Sequence, residues 1–96
     1  MEEKAIQDFS WALKCLKRGE KLQRQGWNGK GLWVVLQEGY PDGVAANKNS
    51  QKAYGVPEGT IIKVRPYLVI RSIDGSFVPW FPSQTDILAE DWEIVQ

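Results

Sequence analysis

Ile6, Phe9, Leu13 and Leu16, with Ala5 and Ala12 beside them, recur at helical spacing, and beyond them glycines and prolines cut the chain into short runs. That break in pattern leaves room for one N-terminal helix followed by short strands and brief helical turns. Asp8 is placed as an N-cap, Lys17 and Arg18 suit a last turn, and Gly19 is a natural stop, which puts the helix over about residues 8–18, or from nearer Glu3. On a helical wheel Trp11 and Cys15 fall on the side away from the apolar stripe. Trp11 then reads either as an aromatic lying along the surface or as a subunit contact.

Lys21–Gln25 alternates weakly, as a short strand would, and Gly26–Gly31 is a glycine-rich turn. Leu32–Gln37 is a β-branched and aromatic run of the kind found in buried strands. Gly39–Gly59 holds glycines, prolines and polar residues with little apolar content, and reads as a long connection in which Asn49–Tyr54 forms one helical turn or two, stopped by Gly55. Thr60–Val64 and Tyr67–Ser72 read as strands, and Asp74-Gly75 as a hairpin turn into Ser76–Trp80. Ser83-Gln84-Thr85-Asp86 has the form of a helix N-terminal cap, and Asp91–Val95 closes the chain as a strand. A helix packed on a mostly antiparallel sheet, with a short second helix near the C-terminus, is an α+β fold, and 96 residues suit a single domain over 1–96.

Twelve basic and 12 acidic residues cancel, so the chain has no positive surplus with which to displace counterions from DNA or RNA. The charges are uneven: residues 1–71 carry 12 basic and 7 acidic groups, and everything charged after Arg71 is acidic. This favours self-complementary packing within or between chains, or is simply an uneven surface. There is no histidine and one cysteine, which excludes an intrachain disulfide and Cys/His zinc sites. Without histidine, and with Cys15 in mid-helix, no catalytic residue and no cofactor is expected. No apolar run is long enough for a membrane span or a signal peptide, so a cytoplasmic protein without membrane contact is expected.

Binding is better supported. The Gly26–Gly31 turn lacks both the Walker and the dinucleotide glycine patterns. It either packs Trp27 inward or presents Trp27, Asn28 and Lys30 side by side, an indole face, an amide and a cation that suit a base linked to a phosphate. Of the five tryptophans, Trp33 and Trp92 lie in apolar strand patterns and are expected in the core. Trp80 sits between Pro79 and Phe81-Pro82, where the chain enters the Ser83 helix. Backbone N–H groups at such a start attract anions, but Asp86 competes for them and is suited to ribose hydroxyls or an adenine amino group.

The residues Arg24-x-Gly26-Trp27-Asn28-Gly29-Lys30-Gly31 and Val78-Pro79-Trp80-x-x-Ser83-Gln84-Thr85-Asp86-x-Leu88-Ala89-x-Asp91-Trp92 carry a resemblance. Phe9-x-x-Ala12-Leu13, Gly39-Tyr40-Pro41-Asp42-Gly43, Pro57-Glu58-Gly59-Thr60 and Pro66-Tyr67-Leu68 support it in the same order. With them the chain resembles the Thoeris anti-defence two proteins of bacteriophages. The resemblance implies a non-catalytic protein of the infected bacterial cytoplasm. It would sequester cyclic ADP-ribose isomers made by Toll/interleukin-receptor-type immune enzymes, some relatives also holding cyclic dinucleotides at a second site. It also implies a homotetramer with ligand pockets between subunits.

The expected site therefore has Trp27 and Trp80 meeting in space to sandwich the ligand. Asn28, Ser83, Gln84, Thr85 and Asp86 would hydrogen-bond it, and Arg65 or Arg24 would meet its pyrophosphate; Arg24 is equally suited to pairing with the acidic C-terminal segment. Trp11 is the expected subunit contact. The rival function is a protein-interaction adaptor that uses its exposed aromatics.

Overall fold

The computed structural model describes residues 6–27 and 31–96. In chain order the elements are α1 (Phe9–Lys17), β1 (Leu22–Arg24), β2 (Trp33–Gln37), β3 (Tyr40–Ala45), α2 (Lys48–Tyr54), β4 (Ile61–Val64), β5 (Tyr67–Arg71), β6 (Phe77–Pro79), α3 (Gln84–Leu88) and β7 (Trp92–Ile94). This is the expected α+β architecture. The chain divides into two compact units, one running up to Gln37 and resuming at Leu68, the other spanning Glu38–Tyr67.

The first unit is a five-stranded sheet in the order β6-β5-β2-β1-β7, with α1 packed over β1, β2 and β7. The β1–β2, β1–β7 and β5–β6 pairs are antiparallel. Asp8 caps α1 by accepting a hydrogen bond from Trp11 N at 2.9 Å, and Gly19, at φ 92°, lets the chain turn off it. Ala12, Cys15 and Leu16 of α1, Leu22, Val34 and Trp92 form a core with no solvent exposure. Small side chains at positions 12 and 15 let the helix sit close to the strands.

The inward face includes Ala12 and Leu16 of the expected stripe, with Phe9 and Leu13 packed against the core, but it is shifted toward Cys15 and Trp11. Cys15 is fully buried rather than on the polar side, and Trp11 is half-buried against the core. The wheel erred by including Ile6, which precedes α1 and is 60% exposed. Burial pushes the Cys15 thiol up, although Arg18 beside it acts in the opposite direction. Trp33 also departs from expectation. It lies half-buried on the face of β2 opposite Val34, edge-to-face with Phe77 at 5.7 Å, and Lys21 Nζ stands 4.5 Å from its ring centroid.

Both outer strands of this sheet are short. Ser72 N bonds to Ser76 O and Trp80 N to Leu68 O, so in the alternating ladder Phe77 and Pro79 direct their main-chain groups away from β5. Proline thus stands where the outer edge would otherwise offer a donor. At the other edge, Trp92 N bonds to Gln7 O at 3.1 Å.

In the second unit, β3 pairs antiparallel with β4 and α2 lies in the connection between them. Tyr40–Ala45 is thus a strand where the composition read as loop. Pro41 is tolerated because β3 has a partner on one side only, and Gly43, at φ 110°, sits where four steps along β3 match two along β4. Asn47 caps α2 through Ser50 N, and Gly55 ends it in a left-handed conformation, φ 67°. The predicted Asn49–Tyr54 turn is the body of this helix.

Gly39, at φ 67°, enters β3 so closely that an added Cβ would lie 2.5 Å from Val64 O and 2.8 Å from Arg65 O, both backbone atoms. Gly39→Ala should destabilise the hairpin by at least about 2 kcal/mol, about 30-fold faster amide exchange at Val44 and Ala46. Gly59→Ala, also at positive φ but with nothing within 4 Å, should cost less. Equal losses at the two positions would remove the backbone clash as the cause.

Candidate functional site

Trp27 follows β1 directly, in a turn closed by Trp27 N to Arg24 O at 3.2 Å and fixed to β7 by Gly26 N to Asp91 Oδ2 at 2.8 Å. Trp80 leaves β6 with its N–H on Leu68 O. The two indoles meet, with ring centroids 6.3 Å apart and planes at 75°. Beneath them lies Trp92, at 5.3 Å from Trp27 and 6.1 Å from Trp80, with Phe9 touching both Trp80 and Trp92. A base held between two parallel rings needs about 7 Å, two contact distances of about 3.5 Å. The edge-to-face pair has no such slot, so the two tryptophans form one continuous half-buried wall instead of the expected sandwich.

The first turn of α3 adjoins this wall through a carboxylate. Asp86 Oδ1 accepts from Trp27 Nε1 at 3.2 Å and from Arg24 Nη1 at 2.9 Å, and Oδ2 accepts from Ser83 N at 3.2 Å. Asp86 N in turn bonds to Ser83 Oγ at 3.1 Å, completing the capping box expected from Ser-x-x-Asp. Trp92 Nε1 donates to the Asp86 main-chain oxygen at 3.0 Å. Arg24 Nε reaches Asp91 Oδ1 at 2.8 Å, so one guanidinium bridges two carboxylates.

Electrostatics follow from that bridge. Burial alone would raise the Asp86 carboxyl, but Arg24, Ser83 and Trp27 together hold it below the ordinary range. Asp91 is lowered chiefly by its hydrogen bond to Arg24, and the Arg24 guanidinium is raised chiefly by Asp91. Arg24, Asp86 and Asp91 sum to −1. The cluster is thus closed and slightly acidic, and Ser83 N is occupied by the Asp86 carboxylate. The Arg24 charge is thus already met by two carboxylates, which weakens its attraction for a phosphate.

The other expected residues are distributed as follows. Ser83, Gln84 and Thr85 are exposed on the turn beside Trp80. Arg65 is exposed in the second unit, and Asn28 lies outside the described residues. Trp11 is half-buried in the same unit as the tryptophan wall. Sequence reading missed Trp92 and Phe9 as the support of the wall. The Asp91-Trp92 pair after a capped helix was the available signal, but it read only as core.

Among the described residues, no group of three or more Cys, Asp or Glu is placed to hold a metal ion. A shallow hollow of about 560 Å³, lined by Gln7, Gln23, Glu93, Ile94 and Gln96, contains none of the expected site residues. No helix of the described residues is long and apolar enough to cross a membrane.

The tryptophan wall and the capped turn coincide with the two sequence blocks that carried the family resemblance, and comparison with known proteins agrees. Residues 7–95 match the Thoeris anti-defense 2-like domain. The chain is also 36% identical over 95 residues to Thoeris anti-defense 2 of Bacillus phage SP01, an alignment covering 96% of this chain and 98% of that protein. By both measures the chain belongs to the Thoeris anti-defense 2-like family.

Proposed function

We propose that this protein counters Thoeris defence by binding a cyclic ADP-ribose-type signal and holding it chemically unchanged. The observation that carries the reading is the meeting of Trp27 and Trp80, distant in sequence, as one aromatic wall beside the exposed Ser83–Thr85 turn. Indole faces bind bases by stacking, and the hydroxyls and amide of Ser83, Gln84 and Thr85 suit ribose and base edges.

Nanomolar capture requires about −12 kcal/mol. Stacking supplies about 1–3 kcal/mol per base, and each neutral hydrogen bond about 0.5–1.5 kcal/mol. After ordering costs, one wall and one turn fall short. The balance, including a cation for the pyrophosphate, is assigned to Arg65, to Asn28 and to a neighbouring copy in a homotetramer, with the exposed part of Trp11 at the subunit contact. Arg24 and Asp86, closed on one another, act as support for the wall.

Calorimetry with cyclic ADP-ribose isomers should show saturable binding, and mass spectrometry should recover the ligand unaltered. Trp80→Ala should weaken binding by roughly 5- to 150-fold, the worth of one stacked base. A converted ligand would indicate an enzyme instead. Cyclic dinucleotides in the same titration test for a second ligand class.

The rival reading, a protein-interaction adaptor, has its own support in Phe81 and Leu88, which flank the wall at 87% and 75% exposure. No heat with any isomer, together with loss of a bound protein on Phe81→Ser, would favour it.

A further inference from the structure

The Asp86 side chain joins three parts of the candidate site. It takes the Trp27 indole N–H from the turn after β1, the Arg24 guanidinium from β1, and the Ser83 N–H from its own helix. Its side chain is 13% exposed and that of Arg24 14%, so the exchange occurs largely out of water. A half-turn of an indole about its Cβ–Cγ bond carries the fused benzene ring to the other side, so the orientation of Trp27 is fixed by its packing on Trp80 and Trp92 together with its N–H bond. The bond to Asp86 Oδ1 anchors the N–H edge of that ring. Arg24 holds that oxygen in place, and Asp91, on the other side of the guanidinium, holds Arg24.

We infer that Asp86 is a positioning residue that anchors the N–H edge of the Trp27 indole and ties it to the Ser83–Thr85 turn, and that Asp86 does not contact the ligand. The role rests on the proposed reading of Trp27 as a binding wall. Asp86 acts through Trp27, so its contribution to binding vanishes when the indole N–H is removed by other means.

The test has two arms. In the free protein labelled with ¹⁵N at tryptophan, the Trp27 indole resonance, assigned through Trp27→Phe, should move in Asp86→Asn and exchange with solvent at least about tenfold faster. That factor is the size of one charge-assisted hydrogen bond. The Trp92 indole, which donates to the main-chain oxygen of Asp86, should stay in place. An unmoved Trp27 resonance overturns the inference whatever the ligand.

In the second arm, cyclic ADP-ribose isomers are titrated into Asp86→Asn, Trp27→Phe and the double variant. Each single change should weaken binding by about tenfold, and the double variant should bind no worse than Trp27→Phe alone. A full additional loss in the double variant overturns the inference and makes Asp86 a ligand contact. If Asp86→Asn does not fold, Arg24→Lys, which keeps the charge but not the two-sided fork, should shift the same indole resonance, and no shift overturns the inference. If the wild type binds no isomer, the proposed function fails, and the indole resonance alone then decides whether Asp86 positions Trp27.

Discussion

Trp92→Ala should cost about 3–5 kcal/mol of stability, the range for deleting a large buried aromatic. Trp92 has no solvent exposure, and three aromatic rings, Phe9, Trp27 and Trp80, pack on it within 6.1 Å. Removing it empties the space under the wall, which Ala12 and Cys15 are too small to fill. A domain of this size is stable by about 5–15 kcal/mol, so the variant loses about a fifth of its stability or more. With a slope near 1 kcal/mol/M, the midpoint should fall by about 3 M or more. Trp92→Phe is the informative control. It keeps a ring but removes one of two donors to the Asp86 carbonyl, the other being Ala89 N at 3.4 Å. That loss should be nearer 0.5–1.5 kcal/mol for the bond itself, about a quarter of the alanine effect. A loss below about 1.5 kcal/mol for Trp92→Ala would show that the core does not depend on this ring.

The second large effect is expected from Arg24→Met. It leaves the Asp86 and Asp91 carboxylates without the cation between them, Asp86 being largely buried. Breaking one side of such a pair costs about 3–5 kcal/mol, with the lower end expected here because Asp91 is 30% exposed. The pH dependence identifies the cause. Both carboxyls are lowered in the folded protein, so their stabilising contribution is fully present above the unfolded carboxylate value, about 3.9, and is lost as pH falls through the folded values. In the variant the part of this lowering due to Arg24 is gone, and protonation relieves the unpaired charges. The gap between wild type and Arg24→Met should therefore be largest near neutrality and narrow below about pH 4. Asp74, held down to about 2 by Ser72 and Ser76, titrates in both proteins and drops out of the difference. A gap that stays constant from neutrality to pH 3 would place the effect in the lost packing of the arginine stem.

Local signals were the legible part of this chain. Asp8, Gly19, Gly55, Asp74-Gly75 and Ser83-x-x-Asp86 each name a cap or turn by chemistry acting over three or four residues, and the elements lie where those residues put them. The strand Tyr40–Ala45 was hidden because Pro41, Asp42 and Gly43 are turn formers, and only a one-sided hairpin makes them acceptable in a strand. Trp33 was misplaced because an apolar run does not show which of its two faces will be covered.

The meeting of Trp27 and Trp80 was legible in the sequence, but its geometry was not. That the two belong together follows from their odd settings, but their edge-to-face geometry depends on Trp92 and Phe9, which come from opposite ends of the chain. The role of Asp86 was the least accessible. A carboxylate on the first turn of a helix looks the same in sequence whether it faces water or an arginine strands away.

The proposed function, stoichiometric capture, would require the protein to accumulate to the level of what it captures, and crowding would then favour strand-to-strand polymerisation. The three-residue strand β6, ending in Pro79, withholds a hydrogen at the rim where another molecule's strand would dock. Growth of a fibre from that side would have to skip a rung at its first step. That edge is thereby protected from self-templating even at high concentration.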